Sequence, residues 1–144
     1  MGLAQRAWHA LSDRPLWASF ALGLIAALGY PPAHAWWIAI PAIGAFVALL
    51  HKAPDWKSAL ARGYLFGWAH LTLANNWIAT AFTHQAKMPE FLGWIAVPLL
   101  CVYLAVYPAL AALTAHGLSR RATLMPFATV FAGAWIVAEW VRSW

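Results

Sequence analysis

Few side chains in this 144-residue sequence could do chemistry, and no group of them forms a reaction centre. Cys101 is the single cysteine, which excludes an internal disulfide and a multi-cysteine metal site. No acid or base stands at helical spacing from it to activate the thiol. Of the six histidines, only His70 falls in the middle of a long apolar stretch. His34, His51, His84 and His116 fall at expected helix ends or loops, and His9 precedes them all. A haem held by two histidines needs two at matched depth, and none matches His70. No cofactor and no metal is therefore expected. Glu139 and Arg142 stand one helical turn apart and can pair. Tyr103 and Tyr107 share a helix face at i, i+4. Asn75 and Asn76 are expected to bond across helices or to line a wet cleft. Gly63 and Gly67 form a GxxxG that lets a second helix approach closely.

The elements that position these residues follow from the composition. Hydrophobic residues make up 64% of the chain and charged residues only 9%, against about 25% in a soluble domain. With eleven tryptophans and a mean hydropathy of +0.66, most side chains must be solvated by a bilayer. Ordinary cytosolic enzymes and disordered chains are excluded. The net charge of +5 does not point to nucleic acid, because the basic residues are scattered between apolar stretches. They read as topology signals instead.

Uncharged runs occupy residues 15–51, 63–86, 91–119 and 122–138. The first is too long for one span and is interrupted by Tyr30-Pro31-Pro32, where two prolines remove backbone donors. The expected fold is an all-α membrane protein of about five transmembrane helices, at 16–29, 33–50, 59–83, 91–116 and 124–141. The first two are joined by the proline hairpin. Pro98 and Pro108 are expected to kink the fourth. Alternating ends divide the basic residues unevenly: Arg6, Arg14, Lys52, Lys57, Arg62, Arg120 and Arg121 on one side, Lys87 and Arg142 on the other. The richer side is cytoplasmic, which places the N-terminus inside and the C-terminal end outside. Trp36, Trp37, Trp56, Trp94, Trp140 and Trp144 suit the interfacial belts. A basic segment, a short apolar run and Ala33-His34-Ala35 also make a signal-peptide layout. The apolar sequence resumes at once at Trp36, which favours a retained span. No polar tail follows Trp144, and a longer protein is expected.

Taken in order, several of these pieces resemble the N-terminal membrane part of bacterial apolipoprotein N-acyltransferases. They are Tyr30-Pro31-Pro32 with Trp36, Gly63 to Gly67 leading to Asn76-Trp77-Ile78, Met88-Pro89, Tyr103 to Tyr107, and Trp135 with Glu139 to Trp144. The family often has glycines where this chain has Thr83 to Lys87. The resemblance implies an enzyme of the bacterial inner membrane that moves an acyl chain from phospholipid to the amine of a lipoprotein's diacylglyceryl-cysteine. It further implies a thioester route on a nitrilase-like domain facing the periplasm, with a Glu base, a Lys at the oxyanion and a Cys nucleophile. No residue here matches those three, so no catalytic residue is assigned and the chain itself is expected to be inactive. Asn76, Trp77, Tyr107, Glu139 and Arg142 are the expected residues of lipid access and catalytic-domain support, with Gly63 and Gly67 in helix packing. A second reading is a small multi-pass membrane protein, a transporter subunit or an assembly scaffold. Against a transporter, no span carries Asp, Glu or Lys at mid-depth.

Overall fold

In a computed structural model of the chain, residues 2–79 and 91–144 are described. The expected loop Thr83 to Lys87, and Met88-Pro89 after it, lie outside these residues. Among the described residues the ordered structure is helical: α1 Leu3–Asp13, α2 Pro15–Ala27, α3 Trp36–His51, α4 Trp56–Ala74, α5 Phe91–Leu104, α6 Val106–Ser119 and α7 Leu124–Arg142.

Local chemistry sets the boundaries. Pro15 opens α2 at a position where the missing N–H would have had no partner. Asp55 caps α4, its carboxylate accepting from the Ser58 N–H at 2.7 Å. Between α2 and α3 the chain turns at Pro31-Pro32, and the corner is closed by bonds from His34 N to Tyr30 O and from Ala35 N to Leu28 O. Pro108 has no N–H to offer the Leu104 carbonyl, and the long helix Phe91–Ser119 is locally irregular one turn earlier, at Ala105, which separates α5 from α6.

Two expectations need correction. The first is α1, an unanticipated helix: Trp8 and Leu11 pack on the core and the Lys52 ammonium lies 4.5 Å over the Trp8 ring. Second, the helix expected over 59–83 starts at Trp56 and gives way at Asn75-Asn76 to a turn. The amide side chains of these residues favour local bonding over helix. The helix expected over 91–116 runs from Phe91 to Ser119 and departs from regular α-helix only at Ala105, one turn before Pro108, with bonds from Ala105 N to Cys101 O and from Ala109 N to Ala105 O carrying the helix across.

The packing is that of a membrane protein, with small residues inside and large apolar ones outside. Alanines 26, 59, 69, 112 and 115 are almost wholly buried, whereas Trp17, Leu99, Met125 and Ile136 are exposed. Water would not tolerate so much contiguous apolar surface. The helices Phe91–Ser119 and Leu124–Arg142 are each long and apolar enough to cross a bilayer. All six tryptophans expected in the belts are more than half exposed.

Close approaches are made at glycine. A β-carbon at Gly63 would fall 2.5 Å from the Ala112 β-carbon, and one at Gly67 would fall 2.5 Å from Pro108 Cγ, so α4 and α6 touch through this pair. Gly23 brings α2 against the Phe66 carbonyl in the same way. A central aromatic stack joins three helices: Phe46 and Phe66 lie 3.9 Å apart, centroid to centroid, with Phe131 edge-on.

Candidate functional site

Helix ends and breaks expose the polar groups that the uninterrupted helices would tie up. At the end of α4, the turn at Asn75-Asn76 places Asn76 and Trp77 against the proline corner. They line a hollow of about 330 Å³ together with Tyr30, Pro31, Pro32 and Leu73. Trp77 is largely exposed on its rim. Asn75 points elsewhere: it and Thr72 stand beside the buried Cys101 thiol of α5, which joins α4 to α5.

Helical i, i+4 spacing sets Tyr103 and Tyr107 on one face, their hydroxyls 3.2 Å apart. Tyr107 lines the end of a groove of about 480 Å³ between α6 and α7, with Leu110, Thr114, Val137 and Val141 along its walls. Glu139 and Arg142 form an ion pair in the last turns of α7, each side chain about one-third exposed. Arg142 lies within electrostatic range of Tyr107 and Cys101. The middle of α4 is anchored to α5, because Trp68 Nε1 donates to the Pro98 carbonyl at 3.1 Å and Tyr64 to the Val102 carbonyl at 2.9 Å.

The five expected residues therefore occupy two places. Tyr107, Glu139 and Arg142 converge where α5, α6 and α7 meet, whereas Asn76 and Trp77 face the proline corner. Gly63 and Gly67 hold α4 against α6 between the two places and the basic end of the bundle. The described side chains offer apolar walls, hydroxyls, amides and one ion pair. Such groups orient an amphipathic substrate.

Two residues escaped sequence reasoning as site formers. Arg62, assigned only as a topology charge, is buried and donates to the Leu49 carbonyl at 2.6 Å, while its Nε has no partner. Trp135 packs edge-on to both Phe66 and His70. The central position of His70 was a usable signal; the partner ring was not visible from spacing.

The pattern of the family described as apolipoprotein N-acyltransferase N-terminal domain matches residues 22–144. An apolipoprotein N-acyltransferase of Ralstonia nicotianae is 33% identical over 124 residues, 85% of this chain and 24% of that protein. One of Caulobacter vibrioides is 32% identical over 143 residues, 95% of this chain and 26% of the relative. One of Vibrio vulnificus is 27% identical over 131 residues, 91% of this chain and 26% of the relative. The chain thus spans about a quarter of the length of these curated relatives.

Proposed function

The chain belongs to the apolipoprotein N-acyltransferase N-terminal domain family, and from that premise we propose that it is the membrane part of an enzyme that N-acylates lipoproteins. The acyl donor is a membrane phospholipid, and the acceptor is the amino group of an apolipoprotein's diacylglyceryl-modified N-terminal cysteine. The chain crosses the bacterial inner membrane five times, with its N-terminus in the cytoplasm and its C-terminal end facing the periplasm. Bond making and breaking belong to a catalytic domain outside these residues, and the segment alone does not turn over.

The observation that carries the reading is the family match over residues 22–144. The geometry fits it. An enzyme that takes both substrates from a bilayer needs a route by which a lipid ester reaches a site at the membrane face. Asn76, Trp77, Tyr107, Glu139 and Arg142 lie toward the helix ends opposite the basic loops, and we assign them to bordering that route and supporting the catalytic domain.

The test is made in the longer enzyme carrying this segment, with alanine at each of the five positions. Lipoprotein N-acylation should slow by about tenfold or more where an orienting contact is lost. Normal acylation by all five variants would remove these residues from the route.

A further inference from the structure

The helix Phe91–Ser119 has one irregular point, at Ala105, and Tyr103 and Tyr107 stand on either side of it. The bonds from Ala105 N to Cys101 O and from Ala109 N to Ala105 O keep the chain helical there. A helix can bend at such a point, with a proline one turn on, so its own bonds leave the angle between α5 and α6 open. Something outside the helix has to set that angle.

Helix α4 grips both sides of this joint. On the α6 side the grip is steric, where Gly63 and Gly67 bring α4 against Ala112 and Pro108. On the α5 side it is polar: the Tyr64 hydroxyl donates to the Val102 carbonyl and Trp68 Nε1 to the Pro98 carbonyl. Tyr64 and Trp68 stand one turn apart on α4, and their two acceptors stand one turn apart on α5. Two donors meeting two carbonyls at matched spacing fix both the slide and the rotation of α5. A slip of one residue would turn α5 by about 100° and shift it by about 1.5 Å, breaking both bonds. Trp68 is itself steadied from α2, where the Phe20 ring lies 5.8 Å from it, centroid to centroid.

Tyr103 follows Val102 directly, so what fixes the one fixes the other. Across the joint the Tyr103 hydroxyl meets the Tyr107 hydroxyl at 3.2 Å, and Tyr107 lines the end of the α6–α7 groove. We propose that Tyr64 and Trp68 are positioning residues for the Tyr107 hydroxyl: they set the joint at Ala105 and hold Tyr103, which orients that hydroxyl at the groove. Neither lines the groove itself. The proposal rests on the assignment of Tyr107 to lipid access and extends it to a helix that does not border the groove.

The experiment uses the longer enzyme carrying this segment, with a fluorinated tyrosine at position 107 for fluorine NMR. Kinetics are followed with phosphatidylethanolamine as acyl donor and a diacylglyceryl peptide as acceptor. Tyr103→Phe removes the partner hydroxyl and gives the reference displacement of the fluorine signal. Tyr64→Phe and Trp68→Phe each remove one donor and keep a ring, and each should displace the signal in the same direction. Each should also raise KM for the phospholipid about fivefold, the worth of one hydrogen bond, with kcat unchanged. In a Tyr107→Phe background neither should raise KM further, because the hydroxyl they orient is gone. A merely structural role would persist in that background. If one of the two variants does not fold by circular dichroism, the other decides. An unmoved signal in both would overturn the proposal. So would an unchanged KM where Tyr107→Phe raises it, or an equal rise with and without the Tyr107 hydroxyl. A displaced signal with normal acylation in every variant, Tyr107→Phe included, would keep the positioning and sink the access route alone.

Discussion

At the scale of single residues, Arg62 shows how a charge in a helix of this bundle is held. Its guanidinium donates to the carbonyl of Leu49, one of the last four of α3, which have no partner within their own helix. One side chain therefore completes the end of a neighbouring helix. Arg62→Ala leaves that carbonyl buried and unpaired, and should destabilise the chain by about 1–3 kcal/mol in chemical unfolding followed in detergent. Arg62→Lys keeps a donor and should recover part of the loss. An unchanged midpoint for Arg62→Ala would show that the bond contributes nothing. The sequence displayed this arginine only as a positive charge near a helix start. Its partner is a backbone carbonyl 13 residues away, and no side-chain pattern marks a carbonyl. The Glu139–Arg142 pair and the Tyr103–Tyr107 contact were legible, because both follow from helical spacing alone.

At the scale of elements, the contact between α4 and α6 depends on what is missing from Gly63 and Gly67. Either glycine replaced by alanine forces the Ala112 or Pro108 side chain to move, and should cost about 1–3 kcal/mol, as overpacking does. Gly117 and Gly133 have open space where a β-carbon would stand. Alanine there should be neutral or stabilise by up to about 1 kcal/mol, through helix propensity. Thermal unfolding followed by circular dichroism distinguishes the two pairs, and equal effects at all four glycines would refute the close-contact account. GxxxG spacing made one face of this contact readable, but its partner, Pro108 with Ala112, was not. The extents of α2, α3 and α7 were readable from the uncharged runs because a bilayer excludes charge over a fixed thickness, whereas α4 starts before its run and ends inside it. Pro108 announced the irregularity at Ala105, but the turn at Asn75-Asn76 was not placed, because a side-chain amide decides it. The amphipathic α1 was missed because its polar face interrupts the apolar runs used to find the other helices.

At the scale of the whole molecule, small residues fill the interior and large apolar ones face outward, the arrangement of a chain solvated by lipid. Composition alone made this legible, since so few charged residues cannot cover a water-facing surface. The division of the expected site residues between two places was not legible, because it depends on which face each helix turns to its neighbours. Purified alone, the chain should transfer no acyl group from phospholipid to a diacylglyceryl peptide. Turnover in that assay would place the chemistry within these residues and overturn the proposed division of labour.

The central claim is that a five-span bundle holds its lipid-handling residues at the outer membrane face. It is tested most directly by single cysteines at Ala33, Pro54, Arg121 and Ser143, in a Cys101→Ala background in a bacterial inner membrane, with a membrane-impermeant maleimide. All four positions are exposed. The account predicts that positions 33 and 143 label from the periplasmic side and that positions 54 and 121 label only after lysis. Labelling of 54 and 121 without lysis, or protection of 33 and 143, would contradict it.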